Sequence, residues 1–160
     1  MASDPTLPLD DFLAALPPSG RLIGLDLGTK TIGLALSDLG RGIASPMETI
    51  RRKKFTQDAE RLLQICTEQQ VGGIVLGLPL NMDGTEGPRA QSTRDFAREL
   101  ILRIDLPVAF FDERMSTMAV ERAMVDADMT RKKRAERVDQ LAAAYILQAA
   151  LDAMPDRSLG

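Results

Sequence analysis

The chain has 160 residues, 44% hydrophobic and 27% charged, which suits one globular domain with a well-buried core and not two. It contains no histidine and a single cysteine, Cys66, so a Ser-His-Asp triad, a Cys-His pair, a histidine-ligated or cysteine-rich zinc site and an intramolecular disulfide are all excluded. Twenty Lys and Arg against 23 Asp and Glu leave a net charge of −3, so no overall basic field exists and any nucleic-acid binding has to be local.

Residues 1–20 hold four prolines and one short helical pattern, Asp10 to Leu16, and read as a flexible appended arm before a domain spanning 21–155. Asp4, Pro5 and Pro8 stand where an export signal needs a basic start and an apolar run, and the longest apolar stretch, Leu141 to Leu151, is too short for a bilayer. A cytoplasmic protein with no membrane partner is expected. Arg21–Leu27 and Thr31–Ser37 flank the turn Gly28-Thr29-Lys30 as a hairpin, and Ile43 to Ile50 forms a third strand whose Pro46 suits an edge. Ala59, Leu62, Leu63 and Cys66 recur at helical spacing within Thr56 to Gln70, with Cys66 as a small core residue. Gly73 to Pro79 is continuously apolar, as a strand buried on both faces is. Pro88 opens a helix to about Arg103, Leu106 to Phe111 is a fifth strand, and Ser116 or Thr117 caps a helix to about Asp126. A charged, mobile segment from Asp128 to Arg134 leads into a last helix ending near Met154, on whose apolar stripe Tyr145 reads as core. The order predicts an α/β fold: a five-stranded mixed sheet, strands 1–3 antiparallel and strands 1, 4 and 5 parallel, flanked by helices.

In open α/β sheets functional groups collect beyond the carboxyl ends of parallel strands. Asp26 stands at the end of the first strand between Leu25 and Leu27, where an ionised side chain costs several kcal/mol unless paired or metal-bound. Asp139 lies on the stripe of Ala143, Ile146 and Ala150 in the last helix, and Asp112-Glu113 ends the fifth strand. Each acid has a plain alternative: Asp26 accepting backbone N–H groups of the turn, Asp139 pairing with Arg134 or Arg137, and Asp112 or Glu113 pairing with Arg114. Gathered together, they would repel without a cation, and oxygen-only ligation selects Mg²⁺ or Mn²⁺, which serve phosphodiester hydrolysis.

Four motifs in order, Gly24-Leu25-Asp26-Leu27-Gly28-Thr29-Lys30, Gly77-Leu78-Pro79-Leu80-Asn81-Met82-Asp83-Gly84, Asp112-Glu113-Arg114-Met115-Ser116-Thr117 and Val138-Asp139-Gln140-Leu141-Ala142-Ala143, resemble the YqgF/RuvX family of RNase H-like nucleases over about Arg21 to Leu151. The resemblance implies the RNase H-like fold, with Asp26, Glu113 and Asp139 as the catalytic and metal-binding acids; Asp83 and Asp112 match motif positions without a firm role. It implies a structured RNA or branched DNA substrate, cut either to mature the 5′ end of precursor 16S rRNA or to resolve Holliday junctions. Met115 departs from the Leu of the pattern, an exchange that conserves volume.

For such a nuclease, phosphate contacts are expected from Lys30, Arg114, Arg131, Lys132, Lys133 and Arg134, and the run Arg51-Arg52-Lys53-Lys54 is a second basic cluster. Five Phe, one Tyr and no Trp provide little stacking platform, so backbone and shape recognition is expected. Junction resolution by paired nicks favours a homodimer, whereas trimming one RNA end needs a monomer. Two rivals are an actin-like ATPase, whose phosphate loop the first motif resembles but which closes two such domains around its nucleotide, and a non-catalytic nucleic-acid-binding module.

Overall fold

The structure, a computed structural model, describes residues 6–114 and 131–154, with residues 131–137 as backbone alone. Five strands, β1 (Arg21–Leu27), β2 (Thr31–Ser37), β3 (Ala44–Arg51), β4 (Val71–Leu78) and β5 (Val108–Asp112), lie in the order β3-β2-β1-β4-β5. The pairs β1–β2 and β2–β3 are antiparallel, and β1–β4 and β4–β5 are parallel, which is the mixed sheet expected. The described helices are α1 (Leu9–Ala15), α2 (Phe55–Glu68), α3 (Pro88–Ile101) and α4 (Arg131–Ala153). The helix expected from Ser116 or Thr117 lies outside the described residues.

Alternation along the strands decides which helix goes where. Ile23, Leu25 and Leu27 of β1 and Ile74 and Leu76 of β4 pack with Leu62 and Ile65 of α2 and Phe96 and Leu100 of α3. The intervening positions face the other way: Leu22, Ala35 and Val75 pack with Ala143, Ile146, Leu147 and Ala150 of α4 and Phe12 of α1. On this second face Gly24, Gly33 and Gly77 let α4 lie directly on the strands. A Cβ on Gly24 would stand 2.8 Å from the Leu147 Cβ, and one on Gly77 2.6 Å from the Ile146 Cδ1. On Gly33 it would stand 2.0 Å from the Asp139 carbonyl oxygen. Pro46 does sit on the edge strand, opposite Ala35 where the β2–β3 register shifts, so its missing N–H disturbs no inner ladder.

Three expectations are corrected. The described part of the N-terminal segment is docked, not a loose arm: Phe12 is fully buried and Leu16 nearly so, both against Gly73, where a Cβ would come within 2.8 Å and 2.5 Å of them. Arg41 fastens the following turn by donating to the Pro17 and Gly20 carbonyls at 2.7 and 2.8 Å. The basic run from Arg131 to Arg134 is helical and forms the start of α4, in keeping with the good helix propensity of Lys and Arg. Tyr145 is 37% exposed, because the stripe that buries Ala143, Ile146 and Leu147 leaves position 145 on the flank of the helix. We expect Phe12→Ala to lower unfolding stability by about 3 kcal/mol, the scale of an aromatic cavity. Urea denaturation showing less than about 1 kcal/mol would mean that α1 is dispensable to the core.

Candidate active site

Asp26 is the residue before the last in β1, and Leu25 and Leu27 on either side of it face α2 and α3, so its own side chain faces α4. Its partner across the antiparallel ladder is Gly33, and Gly33 is where the α4 backbone at Asp139 touches the sheet. The glycine thus places Asp139 beside Asp26. Glu113 follows β5, its N–H donating to the Leu78 carbonyl at 3.1 Å, and its Oε2 lies 3.5 Å from where a Cβ of Gly77 would be. Residues far apart in the chain therefore meet at the carboxyl ends of β1, β4 and β5.

Asp26 is 8% exposed, and its Oδ1 is buried without a hydrogen-bond partner. Burial, then the charge of Glu113 and a hydrogen bond to it, then the charge of Asp139, push the Asp26 carboxyl up to about 8, against an opposing pull from Arg89. Without a cation the folded state thus favours the protonated form of Asp26. Among the described residues no three acids are drawn tightly enough together to form a closed ligand cage. Asp26 interacts electrostatically with both Glu113 and Asp139, and the Asp139 Oδ2 is engaged by the Thr31 Oγ1, which donates to it at 2.6 Å.

That contact gives Thr31 a positioning role that the sequence reading missed. A hydrogen bond to a charged acceptor contributes about 1.5–3 kcal/mol. Thr31→Val, which keeps the shape and loses the donor, should therefore slow cleavage by about tenfold or more at saturating metal, and Thr31→Ser should restore it. A Val variant as fast as wild type would show that Asp139 needs no such support.

The two adjacent acids at the end of β5 have separate fates. Arg114 grips Asp112 through Nε and Nη2 at 2.9 and 2.6 Å and donates from Nη1 to the Met82 carbonyl at 3.2 Å. This hydrogen-bonded pair holds the Asp112 carboxyl below the usual carboxylate range. Arg114, expected to contact phosphate, is thus a clamp between β5 and the loop after β4. Asp83 shapes that same loop, accepting from the Thr85 N–H and Oγ1 at 3.0 and 2.6 Å, with Gly84 at a φ of 88°.

An open groove of about 740 Å³ runs alongside Asp139, lined by Lys30, Thr31, Thr49, Arg51, Arg52 and Gln140 among others. Lys30 thus lines the groove beside Asp139, joined by Arg51 and Arg52 of the first basic cluster. Of Arg131, Lys132, Lys133 and Arg134 the described part is backbone, in the first turn of α4; their side chains lie outside the described residues. Arg89, at the start of α3, donates to the Leu27 carbonyl at 3.2 Å and carries positive charge to Asp26. No pattern in the sequence singles it out, since a cation after Pro88 reads as ordinary helix surface.

The family model described as "RuvX: Holliday junction resolvase" matches residues 20–153. This chain belongs to the RuvX family. Relatives include a Rhodobacter capsulatus protein, 62% identical over 90% of this chain and 91% of its own, and one from Ruegeria pomeroyi, 60% identical over 90% and 94%. Both bear the name "Putative pre-16S rRNA nuclease". Among solved structures, Thermus thermophilus RuvC with a Holliday junction substrate aligns with a TM-score of 0.51 at 15% identity, covering 84% of this chain and 94% of that one. The fowlpox virus Holliday junction resolvase aligns with 0.52 at 12% identity, covering 83% and 98%. These likenesses are of fold, and the fold is RNase H-like. The RuvX-family chain is an enzyme, a nuclease. Among its described residues no helix is long and apolar enough to cross a membrane.

Proposed function

We propose that this RuvX-family nuclease hydrolyses a phosphodiester bond at the 5′ end of precursor 16S rRNA in the cytoplasm, with Asp26, Glu113 and Asp139 holding Mg²⁺ or Mn²⁺. The observation that carries the reading is the buried, unpartnered Oδ1 of Asp26 in the field of two further acids. Such an atom is costly unless something electropositive completes it, and an all-oxygen donor set fits a hard divalent ion. A divalent ion bound there supplies the positive charge that makes water nucleophilic and stabilises the leaving oxygen. The residues of the chain do the rest. Asp26 would hold the ion as its carboxylate, Thr31 holds the Asp139 carboxylate in place, and Lys30, Arg51 and Arg52 take the phosphate backbone along the groove. The names of the relatives support ribosomal RNA as the substrate.

Holliday-junction resolution is the second reading, favoured by the description of the matching family model. The two separate in a cleavage assay on a precursor rRNA leader and on a four-way DNA junction, using wild type and Asp139→Asn with Mg²⁺ or Mn²⁺. The expected result is cutting of the leader by wild type and none by the variant, by a monomer. Paired symmetric nicks in the junction, made by a dimer, would reverse the order of the two readings. Variant activity equal to wild type would remove Asp139 from the site.

A further inference from the structure

Beside the acids lies a second, smaller cavity of about 170 Å³, lined by Gly28, Thr29, Arg52, Arg89, Ser92 and Thr93 among others. Among the described residues that line it none is acidic, so it concentrates positive charge next to a centre that is otherwise anionic. Both guanidiniums are anchored to consecutive carbonyls of the chain just after Asp26. Arg89 Nη2 donates to the Leu27 oxygen at 3.2 Å, and Arg52 Nη1 donates to the Gly28 oxygen at 2.7 Å. Arg52 is further steadied over the Phe96 ring, 5.8 Å from its centroid. Each fork uses one nitrogen for its anchor and has further N–H donors in the wall of the cavity, of the planar kind that recognises an oxyanion. Thr29 and Arg52 line this cavity and the larger groove alike, so the two are continuous around Arg52.

We propose that Arg52 and Arg89 form a subsite for a phosphate of the bound strand other than the one that is cut, fixing the register of the strand across the acids. The cavity has room for a phosphate group. The subsite deepens the nuclease reading and rests on it for the identity of the strand, while its test is made by binding, without cleavage.

The experiment measures binding of a fluorescein-labelled single-stranded RNA in EDTA across a series of KCl concentrations, for wild type, Arg89→Gln, Arg52→Gln, Arg52→Lys and Arg98→Gln. Each lost phosphate contact on a single strand should lower the slope of log Kd against log salt by about 0.7. We expect that decrement for Arg89→Gln and for Arg52→Gln, a slope near wild type for Arg52→Lys, and no change for Arg98→Gln, which lies on α3 outside the cavity. Arg89 is on the surface, so its variant decides the matter even if loss of the Phe96 contact unfolds Arg52→Gln. An unchanged slope for Arg89→Gln overturns the subsite. A second arm titrates inorganic phosphate calorimetrically: saturable binding abolished by Arg89→Gln, with an unchanged RNA slope, would make free phosphate the ligand and overturn the proposal equally. Wild type that cleaves with Mg²⁺ while the slope stays unchanged removes the subsite alone. A lowered slope with no cleavage by either metal removes the nuclease reading alone.

Discussion

Asp26→Asn is expected to abolish cleavage and at the same time to stabilise the metal-free protein. The loss of rate should be at least about 100-fold, since even the outer partners of a metal site cost about 10–100-fold when removed. The gain comes from the burial that lifts the Asp26 carboxyl from 3.8 to about 8. A carboxyl raised in the folded state binds more protons there than in the unfolded chain, so stability is greatest below the unfolded value and declines as pH rises from about 4 to about 8. At about 1.4 kcal/mol per pH unit the ionised folded form is disfavoured by several kcal/mol at the upper end. Asn cannot ionise, yet it still buries a polar amide, so a net gain of about 2 kcal/mol at pH 8 is expected, shrinking to nothing near pH 4. Urea denaturation in EDTA at the two pH values measures it. A difference between the proteins that does not vary with pH would mean that Asp26 is ionised in the native metal-free state. Adding Mg²⁺ should stabilise wild type more than the variant, because binding to the native form alone raises stability.

Gly33→Ala should be among the most damaging single-methyl changes in the molecule. The added carbon would fall 2.0 Å from the carbonyl oxygen and 2.3 Å from the carbonyl carbon of Asp139, both backbone atoms that cannot rotate aside. The helix has to lift off the sheet at the residue that faces Asp26. Overpacking of this kind costs about 1–3 kcal/mol or more, and the displaced carboxylate should cost at least about a further tenfold in cleavage rate, since a shift of about 1 Å is worth as much as 100-fold. Gly42→Ala is the matched control, because a Cβ there meets nothing within 4 Å. It should be neutral or slightly stabilising through the unfolded chain. If thermal melts and rates of the two variants agree, the close approach of α4 at Gly33 plays no part in stability or catalysis.

Asp26 and Asp139 were legible because a carboxylate in an apolar run, or on an apolar helical stripe, is a physical anomaly that one chain displays by itself. The preference for Glu113 over Asp112 comes from the motif resemblance and not from any local pattern, since neighbouring residues at a strand end point to opposite sides; the clamp of Arg114 on Asp112 is visible only in the fold. The docking of α1 escaped for a related reason. Seven residues of weak periodicity bordered by prolines look like a tail until Gly72 and Gly73, some 60 residues on, are seen to leave the space that Phe12, Leu16 and Pro17 occupy. The approach of α4 to Gly33, the anchor of Arg89 on Leu27 and the grip of Thr31 on Asp139 are likewise pairings between distant segments. Local spacing carries the sheet order and the anomaly of Asp26 and Asp139; it does not carry which small residue lies under which helix.

The match to the family begins at residue 20, yet the helix before it supplies an aromatic ring with no solvent exposure to the interior. A recombinant version trimmed to the matched span would strip the cover from the Leu22, Val75 and Ala109 patch and leave an oily surface open to self-association. Such a fragment would invite precipitation on purification for reasons unconnected with its chemistry.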